Sequence, residues 1–310
     1  MDKIKKIINQ SQNILLIFHQ SHDGDSVGSN LAMYLYLKQI GKNVTVISGD
    51  DKIAPNYKTL PGIDQVLDKN IFEIDLNNFD LFITLDINRF DQVSKIKPFI
   101  PPKHLKIINI DHHATNAKFG NVNYIKKNSP ATCQILYDLL HFWKADITSD
   151  IAANLIVGIY EDSMFKYQNT TYKTFQIVAR LTKICPHFNR YIFDMENSNT
   201  PQNIKFMAIA LSSIETVFDN QIAISFVPYE IIKNNNFSKN ISDNTDINSI
   251  LKSVIGWNIG INFFEYQPNN IKLGFRTRNP ETWDVSLIAK ALGGGGHKAA
   301  SGANLKMPFE

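Results

Sequence analysis

The chain has 310 residues, of which 44% are hydrophobic and 20% charged, and its formal net charge is +3. This length and composition are typical of a water-soluble protein with two domains. The small charge, shared by both halves, argues against stable binding of long duplex nucleic acid through many phosphates. No stretch approaches the roughly 20 apolar residues of a membrane span. With only two cysteines and no CxxC spacing, the expected location is the cytoplasm.

Apolar runs alternate with helical patterns in the N-terminal part of the chain. The first predicted strand, helix and strand fit within about 35 residues, the size of a βαβ unit. We therefore predict an α/β fold whose N-terminal domain has a mostly parallel sheet flanked by helices. The predicted elements are helix Lys3–Asn9, strand Asn13–His19, helix Ser26–Gln39, and strands Val44–Ile47, Asp80–Asp86 and Leu105–Ile110.

Helices dominate the middle of the chain, and strands return after residue 220. The predicted helices are Ser129–Trp143 with Ser129 as N-cap, Asp150–Tyr160, Thr171–Ile184 and Gln202–Val217. The later elements are strands Gln221–Val227, Ile259–Tyr266, Ile271–Thr277 and Ser301–Leu305, with helix Asp284–Leu292 before the last strand. We predict a first domain over residues 1–190, a linker over 191–204 and a smaller α/β domain over 205–310.

Acidic and imidazole side chains follow three of the predicted strands. They are His19, Asp23 and Asp25 after the first strand, Asp86 after another, and Asp111, His112 and His113 after a third; Asp162 follows a helix. The carboxyl ends of parallel strands share one edge of a sheet, and carboxylates gathered there need cations between them. A set of oxygen and imidazole ligands without thiolate suits Mn²⁺ or Mg²⁺. Two ions sharing one carboxylate account for so many ligands.

Each of these residues also has an ordinary structural interpretation. Asp23 and Asp25 could form a turn, Asp86 could cap a helix, and Asp162 could end a helix in solvent. Surface scatter of histidines explains the pattern poorly, because five of the eight histidines lie within the motifs at residues 19–25, 111–113 and 293–302.

The C-terminal part contains a second group of candidate residues. Lys272, Gly274, Arg276 and Arg278 share one face of a predicted strand because side chains alternate along it. The run Gly293, Gly294, Gly295, Gly296 and His297 could form a nest of backbone N–H groups for phosphate. A plain flexible turn and a solvated strand face are the alternatives.

Taken together, these motifs resemble those of the DHH-family phosphoesterases. Asp111-His112-His113 is the DHH motif itself, and the other motifs occur in the family's order; Gly293–Gly302 is similar to the signature of the DHH-associated C-terminal domain. The resemblance implies two Mn²⁺ ions, with Mg²⁺ or Co²⁺ as substitutes. The implied roles are His19 and Asp23 on one ion, Asp25, His112 and Asp162 on the other, Asp86 bridging, Asp111 orienting a ligand, and His113 beside the phosphate.

By length, the chain most resembles the family branch that hydrolyses short RNAs, dinucleotides such as pApA, and 3′-phosphoadenosine 5′-phosphate (pAp). Arg276, Arg278, the glycine run and His297 would then bind the nucleotide. A cyclic-dinucleotide phosphodiesterase or an inorganic pyrophosphatase remains an alternative, as does a nucleotide sensor or RNA-binding protein without turnover. The sequence is also compatible with a homodimer. His22 and Ser163-Met164 depart from the family pattern, which leaves the role of His22 and the shape of the loop after Asp162 open.

Overall fold

The computed structural model describes residues 1–165, 170–238, 241–245 and 247–308. The chain forms two compact units, Met1–Ser198 and Asn199–Glu310. The boundary between them falls inside the predicted linker, residues 191–204. Much of that range is helical in the structure, because one helix ends at Glu196 and the next begins at Pro201.

The N-terminal unit is built on a five-stranded parallel sheet. Its strands are β1 (Asn13–Ile17), β2 (Asn43–Ile47), β3 (Leu81–Leu85), β4 (Lys106–Asp111) and β5 (Val122–Ile125). Their order in the sheet is β2-β1-β3-β4-β5. Its helices are α1 (Asp2–Gln10), α2 (Gly24–Gln39), α3 (Thr132–Phe142), α4 (Ser149–Ser163), α5 (Tyr172–Ile184) and α6 (Phe188–Glu196). The predicted α/β class and parallel sheet are confirmed.

The two faces of this sheet are covered differently. Ile14 and Leu16 of β1 belong to the large core that includes the helices, whereas Leu15 and Ile17 pack with the connecting segments around Phe99. This alternation follows from the period of two along a strand. Both sides of β1 are buried, which is why its sequence is continuously apolar.

Helices α2 and α4 approach each other closely, and glycine makes this approach possible. A Cβ at Gly28 would lie 2.4 Å from the Asn154 carbonyl oxygen, and one at Gly158 would lie 2.3 Å from the Cys133 sulfur. Because real Cβ atoms do not come so close, any larger residue would push the helices apart. The close packing brings the N-terminus of α2 next to the C-terminal turn of α4.

Three predicted helix limits were wrong by three or more residues. The helix predicted as Asp150–Tyr160 extends to Ser163, so Asp162 lies within α4 and does not follow it. Ser129 is not the N-cap of α3, because the helix begins at Thr132 and the Asp25 carboxylate, distant in sequence, accepts its first N–H groups. The helix predicted as Gln202–Val217 ends at Ser212, and residues after it form a strand that pairs with the next one.

The C-terminal unit contains a six-stranded mixed sheet. The strands are β6 (Glu215–Val217), β7 (Ile222–Val227), β8 (Ile259–Gln267), β9 (Asn270–Thr277), β10 (Gly295–His297) and β11 (Ala300–Lys306). Their order in the sheet is β10-β11-β9-β8-β7-β6, and among these neighbours only β7 and β8 are parallel. The helices are α7 (Pro201–Ser212), α8 (Tyr229–Asn234), α9 (Ile247–Ser253) and α10 (Val285–Ala291). Within the described residues, no helix is long and apolar enough to cross a membrane.

Candidate functional site

The acidic and imidazole residues singled out in the N-terminal unit meet at the carboxyl edge of its sheet. Asp23 caps α2 by accepting a hydrogen bond from the Ser26 N–H, so it is both a helix cap and a member of the cluster. Asp86 directly follows β3 with φ of 61°, in the left-handed region that costs a non-glycine residue about 1–2 kcal/mol. Such strain is typical of functional sites.

Asp86 stands between two groups of potential ligands. Its Oδ2 lies 3.4 Å from His19 Nε2, and its Oδ1 lies 3.5 Å from His112 Nε2. His19 Nε2 is in turn 3.8 Å from Asp23 Oδ1, and His112 Nε2 is 3.1 Å from Asp162 Oδ2. The two carboxylate oxygens of Asp86 therefore face different groups.

Three sets of side chains are compact enough to hold a metal ion. In each set the ligand atoms lie within 4.8 Å of one another. The sets are His19, Asp23 and Asp86; Asp25, His112 and Asp162; and Asp86, Asp111, His112 and His113. The first two sets contain the same residues that the family resemblance assigns to the two ions.

The electrostatics of this cluster fit a divalent cation. Burial, together with the nearby carboxylates of Asp25 and Asp23, raises the pKa of both Asp86 and Asp162 well above the usual value. Despite its proximity to His112, Asp162 Oδ2 has no hydrogen-bond partner among the described residues. A positive ion would reduce the repulsion between these carboxylates and would give Asp162 Oδ2 a partner.

Asp25 is fully buried and is anchored at the start of α3. The backbone N–H groups of Thr132 and Cys133 donate to its two oxygens, at 2.5 and 2.8 Å. Burial raises the pKa of Asp25, and the nearby His112 opposes this rise. Each carboxylate oxygen has a second lone pair, so these bonds orient Asp25 and leave it able to bind a cation.

Asp111 and His113 form a separate hydrogen-bonded pair. His113 Nδ1 lies 2.8 Å from Asp111 Oδ1, while Asn116 Nδ2 donates to Asp111 Oδ2 at 2.6 Å. The resemblance implies that Asp111 orients a ligand, yet in the structure its imidazole partner is His113. The candidate ligand His112 instead contacts the Ser129 carbonyl oxygen through Nδ1, at 3.2 Å.

Sequence reasoning missed four residues that hold this cluster in place. Thr132 donates its hydroxyl to Asp86, and Asn116 supports Asp111. Glu161 accepts the Tyr57 hydroxyl at 2.8 Å and a hydrogen bond from the Gly24 N–H. Burial, with repulsion from Asp23, raises the pKa of Glu161 to about 7. The only feature of the sequence that singled out Glu161 was its position next to Asp162, and nothing in the sequence pointed to Tyr57.

His22 and Met164, which depart from the family pattern, lie at the edge of the candidate site, near Asp23 and Asp162 in the sequence. His22 packs against Phe18 and Tyr57, and its Nδ1 is buried without a hydrogen-bond partner among the described residues. Burial lowers the pKa of His22. Met164 ends α4 in the left-handed conformation, with φ of 41°. The loop after Asp162 thus uses a conformation that favours glycine although the residue is methionine.

In the C-terminal unit, strand register brings Arg276 and His297 to either side of Ala300. Ala300 pairs with Arg276 on β9 and with His297 on β10. The next rank on the same face is made of glycines, because Gly302 pairs with Gly274 and Gly295. Residues opposite each other in a ladder share a face, so Arg276 and His297 flank a floor with few side chains. We call this surface the glycine patch: Arg276, His297, Ala300, Gly274, Gly295 and Gly302.

Asparagine amides border the glycine patch. A Cβ at Gly274 would lie 2.3 Å from Asn262 Oδ1 and 2.8 Å from Asn248 Nδ2. The Oδ1 atoms of both asparagines are buried and have no hydrogen-bond partner among the described residues. The patch therefore combines a cationic side chain with unsatisfied acceptors.

The glycine run is not a simple loop. Gly295, Gly296 and His297 form β10, and a Cβ at Gly296 would lie 2.6 Å from the Ala300 carbonyl oxygen. The N–H groups of Gly293 and Gly294 donate to carbonyls of α10. These two groups are therefore already used within the fold, and they add little to the predicted phosphate nest. Arg278 lies beyond the end of β9, and its guanidinium donates to the Val254 carbonyl at 2.8 Å. Arg278 is therefore not part of the glycine patch.

Comparison with known proteins agrees with this arrangement. A family model described as "DHH family, N-terminal domain" matches residues 13–159. A "Bifunctional oligoribonuclease and PAP phosphatase NrnA" of Thermus thermophilus is 26% identical over 298 residues, covering 94% of this chain and 84% of that protein. A protein of the same name from Bacillus subtilis is 22% identical over 308 residues, covering 97% and 91%.

The crystal structure of an exopolyphosphatase-related protein from Bacteroides fragilis has the same fold. Its TM-score to this chain is 0.88 at 21% identity, and the match covers 97% of this chain and 89% of that chain. The resemblance seen in the sequence motifs is confirmed, because the DHH-family model matches residues 13–159.

Proposed function

We propose that this chain is a Mn²⁺-dependent phosphoesterase that hydrolyses short oligoribonucleotides, linear dinucleotides such as pApA, and pAp. The observation that carries the proposal is the position of Asp86, whose two oxygens face two separate groups of ligands. The relatives named as oligoribonuclease and pAp phosphatase support the substrate class, since they match nearly the whole chain. We place the enzyme in the cytoplasm, where such substrates arise.

Two cations would be held by the residues of the cluster. His19 and Asp23 would bind one ion, Asp25, His112 and Asp162 the other, and Asp86 both. Divalent ions at such a site lower the pKa of bound water and polarise the phosphoryl group. Because the ligands are oxygen and imidazole nitrogen, Mn²⁺ is the expected ion and Mg²⁺ or Co²⁺ could replace it.

The chain's own residues would hold the reacting phosphate in place. Burial by itself would lower the pKa of His113. The hydrogen bond with Asp111 outweighs burial, so the pKa of His113 lies above its ordinary value. His113 would therefore donate a charge-assisted hydrogen bond to a phosphate oxygen. Asp111 would fix the orientation of the ring through Nδ1. Thr132 would keep Asp86 oriented through its hydroxyl.

The glycine patch would bind the nucleotide. Arg276 would pair with a phosphate and His297 would donate a further hydrogen bond, while the open space over Gly295 leaves room for a base or sugar. Asn262 and Asn248 offer acceptors for base amino groups. Arg278 already donates to the Val254 carbonyl, and the N–H groups of Gly293 and Gly294 donate to carbonyls of α10. Arg276 likewise donates to the Phe275 carbonyl, so each of these groups would share or exchange a hydrogen bond to bind the nucleotide.

One substrate panel tests the proposal against its rivals. Purified protein with Mn²⁺ is assayed on pAp, pApA, a five-nucleotide RNA, a cyclic dinucleotide and pyrophosphate. We expect turnover of the first three and its loss after dialysis against EDTA. Faster turnover of the cyclic dinucleotide or of pyrophosphate would indicate a cyclic-dinucleotide phosphodiesterase or an inorganic pyrophosphatase instead. Binding without any turnover would indicate a nucleotide sensor or RNA-binding protein.

Substrate length tests the role of the glycine patch. We expect kcat/KM to be highest for RNAs of about two to five nucleotides, since a single cluster of cations suits one end of a chain and a processive enzyme needs an extended basic groove. Arg276→Ala should raise KM for pApA without changing metal content, whereas Lys306→Ala, at the exposed end of β11, should have little effect. A kcat/KM that rises steadily with length would contradict the model.

A further inference from the structure

A cavity of about 550 Å³ lies in the N-terminal unit beside β5, α3 and the start of α5. It contains none of the candidate metal ligands. Its polar lining includes Tyr124, Lys126, Ser129 and Gln134, together with the ion pair of Asp138 and Lys173. Its volume falls within the range of about 300–1,000 Å³ that is usual for small-molecule sites.

Gln134 is the strongest sign that the cavity has a ligand. The residue is 5% exposed, and its Oε1 is buried with no hydrogen-bond partner among the described residues. An unsatisfied buried acceptor destabilises the folded protein unless a ligand provides a donor. Because the terminal torsion of glutamine is broad, the amide can turn toward a ligand that offers a donor and an acceptor side by side.

Tyr124 and Lys126 add an aromatic ring and a positive charge to the lining of the cavity. The Lys126 ammonium lies over the Tyr124 ring, 4.9 Å from its centroid. In the described part of the chain Lys126 has no carboxylate partner, whereas Lys173, at the same cavity, is paired with Asp138. The Lys126 ammonium can therefore bind an anion, and the aromatic ring next to it offers a surface for a base.

The cavity shares a wall with the candidate metal site. The Ser129 carbonyl contacts Nδ1 of His112 at 3.2 Å, and three residues further on Thr132 donates to Asp25 and Asp86. A ligand that contacts Ser129 and Gln134 therefore touches the same short segment that orients these side chains.

We propose that this cavity binds an adenine nucleotide. The Gln134 amide would pair with the amino group and ring nitrogen of adenine, as glutamine does in nucleic-acid complexes, and Lys126 would bind the phosphate. The nucleotide is either a free mononucleotide, such as a reaction product, or a further unit of the bound RNA. The inference extends the function proposed above, but its main test needs no turnover.

Photo-labelling locates the site directly. The full-length protein in EDTA is irradiated with 8-azidoadenosine 5′-monophosphate and the labelled peptides are identified by mass spectrometry. We expect label between residues 122 and 142, competed by adenosine 5′-monophosphate and at least fivefold less by guanosine 5′-monophosphate. Lys126→Ala and Gln134→Leu should each reduce this label at least fivefold. Lys127→Ala is the matched control, because Lys127 is exposed and does not line the cavity.

Two results would overturn the proposal: no label in this segment, or label unchanged in Lys126→Ala, which removes an exposed side chain and should fold normally. Label at the glycine patch in the same sample shows that the probe is active. If the enzyme proves to have no turnover, the proposed function fails while the labelling result stands.

RNA length separates the two sources of the nucleotide. For a unit of bound RNA, Lys126→Ala should lower kcat/KM at least fivefold for tetra-adenylate and leave pApA unchanged. For a free nucleotide, added adenosine 5′-monophosphate should change kcat/KM for substrates of every length, and Lys126→Ala should abolish that change. Either pattern supports the cavity as a nucleotide site, and neither pattern appearing would contradict it.

Discussion

His113 Nδ1 and Asp111 Oδ1 are 2.8 Å apart, so the first and third residues of the DHH motif contact each other directly. The residue between them, His112, contacts Asp86 and Asp162 through its Nε2. One short segment at the end of β4 thus supplies both a candidate ligand and an oriented imidazole.

Asp111→Asn should reduce kcat about 10–100-fold, the usual effect of losing a residue that orients a functional group. The variant weakens the bond to His113, and NMR titration of the metal-free protein should show the His113 pKa falling toward its ordinary value. Metal content should stay near that of the wild type. Asp91→Asn, at an exposed ion pair with Arg89, serves as the control. Loss of both ions in Asp111→Asn would show that Asp111 is itself a ligand.

Asp86→Ala should abolish nearly all turnover, because one truncation removes the carboxylate that faces both groups of ligands. Elemental analysis should show less bound metal than in the wild type. In metal-free solution, Asp86→Asn should unfold at a higher temperature than the wild type, since it removes one of several crowded carboxylates. Retention of two ions and a normal rate in Asp86→Ala would refute the site assignment.

The stability of the metal-free protein should fall as the pH rises from about 5 to 8. The pKa of Glu161 is about 7 in the folded protein, above its unfolded value, so the folded state binds the additional proton in this window. Burial and like charges raise the pKa of Asp86 and Asp162, which acts in the same direction. The increased pKa of His113 also gives stability that is lost as pH rises.

Thermal unfolding measured between pH 5 and 8 in EDTA checks this expectation. Glu161→Gln should flatten the dependence, and Mn²⁺ should raise the unfolding temperature most at the high-pH end. Glu281→Gln, at an exposed ion pair, is the control. A metal-free protein that becomes more stable toward pH 8 would contradict the electrostatic account.

Met164→Gly should stabilise the protein by about 0.5–1 kcal/mol. Met164 is 40% exposed and has φ of 41°, so glycine relieves left-handed strain of about 1–2 kcal/mol and loses little burial, although its greater freedom in the unfolded chain offsets part of the gain. Denaturant unfolding measures the difference. Met307→Gly, an exposed methionine outside this turn, should not stabilise. A destabilised Met164→Gly would show that its side-chain contacts outweigh the strain.

The sequence by itself determined the α/β architecture and the members of the candidate metal cluster. Buried parallel strands are continuously apolar, and the polar residues that end them stand out against that background, as at His19, Asp86 and Asp111. Because parallel strands end at one edge, order along the chain was enough to predict that these side chains meet.

Only the tertiary structure decided which atoms contact one another. Asp25 caps α3 across 107 residues of sequence, Tyr57 reaches Glu161 across 104, and the left-handed backbone of Asp86 turns its oxygens toward two groups. The pairing of Arg276, Ala300 and His297 likewise depends on strand register, which residue order does not specify. Local patterns report burial and periodicity, whereas these contacts arise from packing between segments far apart in the chain.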